Sequence, residues 1–118
     1  MRNVLLLSLI FPVLLTACHQ RYPHADPQTQ RLQIASLIAG ARYLKQQCGR
    51  GDFPGDGQIE QSAYRAARHR GWSPSADIRP YSERLYQGLL KDATPPATQC
   101  AEFSQLLQPF IATLPVKS

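Results

Sequence analysis

Three cysteines, three histidines and eight carboxylates are the side chains of this sequence with chemistry to offer. His19, His24 and His69 are scattered, and no Cys-x-x-Cys or His-Glu-x-x-His spacing gathers ligands for a metal. The carboxylates are dispersed, with none paired on a predicted helix face at the spacing that acid–base catalysis favours. No Gly-x-Ser-x-Gly elbow and no Gly-Lys-Ser/Thr phosphate loop is present. Residues 48–57, CGRGDFPGDG, lack the preceding strand of a phosphate loop. They also lack the carboxylate count and terminal glutamate of a calcium loop. They read as a turn, with Gly49 and Gly51 ending one helix, Pro54-Gly55 bending the chain and Asp56 helping to start the next. A binding protein is expected rather than an enzyme, with no metal and no diffusible cofactor.

The cysteines are the exception. Cys18 closes the stretch MRNVLLLSLIFPVLLTACHQ, in which Arg2 precedes an apolar run from Val4 to Leu15. That run falls short of the ~20 apolar residues that span a bilayer. Leu15-Thr16-Ala17-Cys18 is similar to the lipobox of bacterial lipoproteins, in which the cysteine is acylated and becomes the mature N-terminus. The expected division is a cleaved signal peptide over 1–17, a lipidated N-terminus and tether over 18–29, and a helical domain over 30–118. The mature chain holds one small core. Its formal charge of +5 drops by one when Arg2 is removed with the signal, a mild excess that gives no ground for a nucleic-acid partner. With Cys18 carrying a covalent lipid, Cys48 and Cys100 remain. In an oxidising compartment they are expected to form a disulfide, closing a loop of about fifty residues for roughly 4 kcal/mol.

Four helices must position these groups. From Gln30, Leu37, Ala41, Leu44 and Cys48 recur at i, i+4, i+7 and i+11, widened by Ile34 and Ile38. Ala35, Ser36, Ala39, Gly40 and Ala41 keep the middle of that helix slim, so another helix, from the bundle or from a partner, can approach closely. A second helix is predicted from Gln58 to Arg70, capped by Asp56 or Gly57 and stopped by Gly71, with Trp72 packing on the bundle end. Its basic run Tyr64-Arg65-Ala66-Ala67-Arg68-His69-Arg70 reads as a solvated face, or as a contact for an anionic headgroup or acidic partner. A third helix is predicted over Pro80–Leu90. A fourth opens at Thr94-Pro95 and carries Cys100, Phe103, Leu107, Phe110, Ile111 and Leu114, with Pro109 kinking it or splitting off a short last helix. The fold class is all-α, a small four-helix bundle. An antiparallel first and fourth helix would bring Cys48 and Cys100 together.

Several short segments carry a resemblance. Ala35-Ser36-Leu37-Ile38-Ala39-Gly40-Ala41-Arg42-Tyr43-Leu44-Lys45-x-x-Cys48, Arg70-Gly71-Trp72, Leu85-Tyr86-Gln87 and Ala93-Thr94-Pro95-x-Ala97-Thr98-x-Cys100 together resemble the pilotins of type II secretion systems, of the PulS/OutS type. The resemblance spans the mature domain. It implies a small helical bundle with one disulfide, Cys48 and Cys100 matching the family's cysteines. It also implies a chaperone and targeting activity: a pilotin binds the C-terminal segment of its secretin and is carried with it to the outer membrane by the Lol lipoprotein-sorting machinery. His19 after the acylated Cys18 agrees with outer-membrane sorting, the protein then being lipid-anchored and facing the periplasm. A secretin tail folding as an amphipathic helix would need an apolar groove. Ile34, Leu37, Ala41, Leu44, Leu85, Tyr86 and Leu89 are the candidate lining, or else these side chains fill the bundle's own core. The alternative function is a lipoprotein that braces an envelope assembly without delivering a client.

Overall fold

A computed structural model describes residues 25–117, and within them the chain forms five helices and no strand. The signal peptide expected over 1–17 and the acylation expected at Cys18 lie outside the described residues. Helix α1 runs from Pro27 to Gln47. It starts three residues before the expected Gln30, which shortens the expected tether, because Asp26 and Pro27 form an efficient start. The Asp26 carboxylate accepts the Thr29 backbone N–H at 2.7 Å, and Pro27 occupies a first-turn position where no N–H is needed. The helix stops at Gly49, whose φ of +72° is a left-handed conformation that glycine alone adopts without strain.

α1 is the axis of the bundle. Helix α2 (Asp56–His69), helix α3 (Ile78–Lys91) and helix α4 (Pro96–Leu106) each pack against it. Its slim residues make this possible: Ala35, Ala39, Gly40 and Ala41 are buried on different sides of the helix together with Ile34, Ile38, Tyr43 and Leu44. Two apolar clusters result. One joins α1 to α2 through Ile34, Ile38, Ala41, Leu44, Ile59, Ala63 and Ala67, and is closed by Phe53, Ile78 and Phe110. The other joins α1 to α3 and α4 through Ala39, Tyr43, Tyr86, Leu85, Leu89 and Phe103.

The helix ends follow local chemistry. Past α2, Trp72 N–H donates to the Ala67 carbonyl and Gly71 N–H to that of Arg68, the paired bonds of a glycine-terminated helix, with Gly71 at φ +78°. α2 begins at Asp56 behind a Gly55 cap, and α3 takes in Ile78 and Arg79 ahead of Pro80. Thr94 is not the cap expected for α4: its N–H is taken up by the Asp92 carboxylate, and Pro95 is the cap with Pro96 as the first helical residue. Pro109 splits the C-terminal pattern, leaving a short helix α5 (Gln108–Ile111) after a break at Leu107. The architecture is therefore the expected helical bundle with a one-turn addition.

Candidate helix-binding groove

Cys48 caps α1, Cys100 lies in the first turns of α4, and the two form a disulfide with Cα atoms 5.7 Å apart. With both thiols spent, neither cysteine is free to bind metal. The bond matters because α4 is otherwise held lightly: Gln99 is its one fully buried residue. α3 and α4 both lie on α1, yet make at most passing contact with each other. A groove remains between them.

Its floor is Ser36, Ala39 and Gly40 of α1; Leu85 and Leu89 form the α3 wall, and Phe103, Leu106 and Leu107 the other. The volume is about 260 Å³. That is below the range of small-molecule pockets, and it suits a few aliphatic side chains of an incoming peptide. Leu106 is 73% exposed on the rim. Leu107 crosses the floor so closely that a Cβ at Gly40 would stand 2.6 Å from its Cδ1. Ser36 and Leu107 are shared with a second apolar cleft between α1 and α2, lined by Leu32, Ile34, Leu37, Ala66, Ala67 and Trp72. One apolar face thus runs over α1 from Trp72 to Leu89, polar only at Ser36 and at its Gln33 and Arg70 border. A continuous apolar surface of this kind is a place that another molecule can cover.

Of the seven candidate lining residues, Leu85 and Leu89 line the groove and Leu37 the adjoining cleft. Ile34 touches the cleft with the 2% of its surface left open. Ala41 and Leu44 have no exposed surface and belong to the α1–α2 core, which corrects their assignment to a groove. Tyr86 is also buried, its ring under the Arg42 guanidinium at 4.2 Å and its hydroxyl accepting from Gln47 at 3.4 Å. Ser36, Ala39, Gly40, Phe103, Leu106 and Leu107 complete the site beyond the expected set. The small-residue stripe was their signal for α1, and the Leu106-Leu107 doublet ahead of Pro109 for α4.

Charges frame the site without entering it. Arg42 pairs with Glu83 and lies 3.6 Å from Asp56, which also binds Lys45 at 3.1 Å, tying α1 to α2 and α3 on the side away from the groove. The bond from Arg42 holds the Glu83 carboxyl below its ordinary range. Nothing titratable lines the groove itself, so what it offers is shape and apolar contact.

Residues 15–112 match the family model described as type II secretion system pilotin lipoprotein (PulS_OutS). The pullulanase secretion protein PulS of Klebsiella pneumoniae is 42% identical over 122 residues, covering 97% of each chain. A solved pilotin/secretin peptide complex contains a chain 43% identical, with a TM-score of 0.73 over 75% of this chain and 96% of that one. The Klebsiella pneumoniae type II secretion outer membrane complex of PulD, PulS and the PulC HR domain contains another. That chain is 45% identical with a TM-score of 0.72, covering 75% of this chain and 98% of its own length.

Proposed function

Because this chain belongs to the PulS/OutS family of type II secretion pilotin lipoproteins, we propose that it binds the C-terminal segment of a secretin, shields it and directs it to the outer membrane for pore assembly. The observation that carries the reading is the groove between α3 and α4, floored by Ser36, Ala39 and Gly40. An apolar helix face fits between two helices that do not close on each other, and a floor of small residues lets it approach α1. A secretin tail that orders on binding loses conformational entropy, and a groove already fixed by the Cys48–Cys100 bond adds none of its own.

Cys18 carries the lipid in this reading, holds the protein to the outer membrane on its periplasmic side, and presents it to the Lol carriers. The role is one of binding and escort, with no reaction catalysed.

Titrating the purified protein with the secretin's C-terminal peptide tests the binding step. Helical circular dichroism should rise with saturation, and a flat titration in both ellipticity and heat would refute the groove reading. Deleting the gene should leave the secretin unassembled or in the inner membrane; outer-membrane multimers in normal amount would refute the targeting role.

A further inference from the structure

We propose that the basic end of α2 docks on an anionic phospholipid surface and so sets which end of the bundle faces the membrane. The proposal rests on the lipid-anchor reading of Cys18.

Several cations of the described residues are paired. Arg31 pairs with Asp77, Arg42 and Lys45 with Asp56 and Glu83, Arg50 with Asp52, and Arg79 with Glu60. Arg65, Arg68 and Arg70 have no carboxylate partner among the described residues, and all three are exposed with His69 at the C-terminal end of α2. Of the carboxylates at this end, Glu60 and Asp77 are occupied by Arg79 and Arg31, and Asp26 accepts the Thr29 N–H that it caps. The opposite end of the bundle differs. There Lys45 and Arg50 are paired, and the one unpaired cation, Lys91, is outnumbered by Asp92 and Glu102, which have no cationic partner among the described residues. The positive field is thus concentrated at one end. Basic groups also favour a helix C-terminus through its dipole, which explains a residue or two there but not the lack of partners for all three.

Position gives the basic end its meaning. Arg70 donates to the Gln33 side-chain Oε1 at 3.4 Å, and Arg31 meets Asp77 at 2.9 Å, so the end of α2 and the start of α3 lie beside the start of α1. The chain from Cys18 enters there, at Asp26. Eight residues of any conformation span at most roughly 28 Å, so this end stays near the leaflet that holds the lipid. The far end lies a further ~31 Å along α1, the length of its 21 residues. The tether limits distance alone; the arginines choose the orientation. Each basic residue near an anionic leaflet gives about a fivefold preference, so three together give on the order of a hundredfold.

Trp72, the chain's one tryptophan, sits under Arg70 with the guanidinium 5.2 Å from its ring and reports on this end. The test places acylated wild-type protein in phosphatidylcholine vesicles with or without phosphatidylglycerol and measures energy transfer from Trp72 to a dansyl-headgroup lipid. Transfer should rise with phosphatidylglycerol and fall back when salt screens the surface. The Arg65→Gln, Arg68→Gln, Arg70→Gln triple variant should lose that rise. The Lys45→Gln, Arg50→Gln, Lys91→Gln triple, equal in net charge, should keep it, and circular dichroism should show both variants folded. Equal transfer on the two vesicle types would overturn the proposal and leave the arginines to an acidic protein. Equal loss in the two triples would overturn it as well. Failure of the wild type to float with neutral vesicles is a separate result: it refutes the lipid anchor, and the orientation with it.

Discussion

Replacing both half-cystines, as Cys48→Ala with Cys100→Ala, opens the loop that the disulfide closes. The two residues are 52 apart. In the chain-entropy treatment a loop of that length gives the unfolded state roughly 14 cal/mol/K of recovered entropy, or about 4 kcal/mol at 25 °C. Small domains are stable by about 5–15 kcal/mol, so the variant gives up a large part of its margin. With an m-value of about 1.5 kcal/mol/M in urea, the midpoint should fall by roughly 3 M. The thermal midpoint should drop by about 15–30 °C. Urea melts of oxidised wild type and the double variant, followed by circular dichroism, measure the shift directly. A midpoint displaced by less than ~0.5 M would refute the loop-closure reasoning, since that corresponds to under ~1 kcal/mol.

The structure adds where the loss should be felt first. α1, α2 and α3 are joined by buried aliphatic and aromatic side chains, whereas α4 contributes Gln99 as its one fully buried residue. Without the disulfide, α4 is the element with the least burial to hold it, and its amides should exchange earliest. The groove loses its Phe103–Leu107 wall in that open state, so secretin-peptide affinity should fall under conditions where most molecules are still folded. Uniform acceleration of exchange over all four long helices would show that α4 is not the weak element.

Leu89→Asp puts a charge on the groove wall at a half-buried position; peptide affinity should fall at least about tenfold, or ~1.4 kcal/mol, with the circular dichroism spectrum unchanged. Val116→Asp, at a position 89% exposed, is the control and should bind as wild type in the same calorimetric titration. Gly40→Ala should separate fold from function: the new methyl meets only the movable tip of Leu107, and alanine favours a helix by about 1 kcal/mol, so the melting temperature holds or rises while peptide affinity drops. Unchanged affinity would remove Gly40 from the floor. Acid should destabilise the fold. Hydrogen bonds from Thr29 to Asp26, Arg50 to Asp52, Ser75 to Asp77, Arg42 to Glu83 and Thr94 to Asp92 hold those carboxyls below their ordinary range in the folded state. Their stabilisation is complete above the ordinary carboxylate values and is lost as pH falls through the lowered ones, so the thermal midpoint should be level down to about pH 5 and decline below about pH 4. A midpoint that rises in acid would contradict the sign.

The helices were legible in the sequence because each is marked by apolar spacing and by its own start or stop residues. Gly71 and Pro109 acted where they were expected, and Pro27 and Pro95 shifted boundaries by a turn or less. The groove was legible only in part, for a reason that lies in what periodicity measures. A stripe such as Leu37, Ala41 and Leu44 says that one face is covered, and is silent on whether the cover comes from the same chain. α2 supplies Ile59 and Ala63 to that face, so Leu44 is consumed inside the bundle. The face that stays open carries Ser36, Ala39 and Gly40, residues too small or too polar to stand out on a hydrophobic scale. Small size is their function here, since bulk on α1 would fill the space between α3 and α4. The informative sequence feature was therefore the missing side-chain volume in the middle of a long helix, set against Leu85, Leu89 and Leu106 with too little core to enter. A binding groove of this kind is found by asking which apolar residues the chain cannot cover for itself.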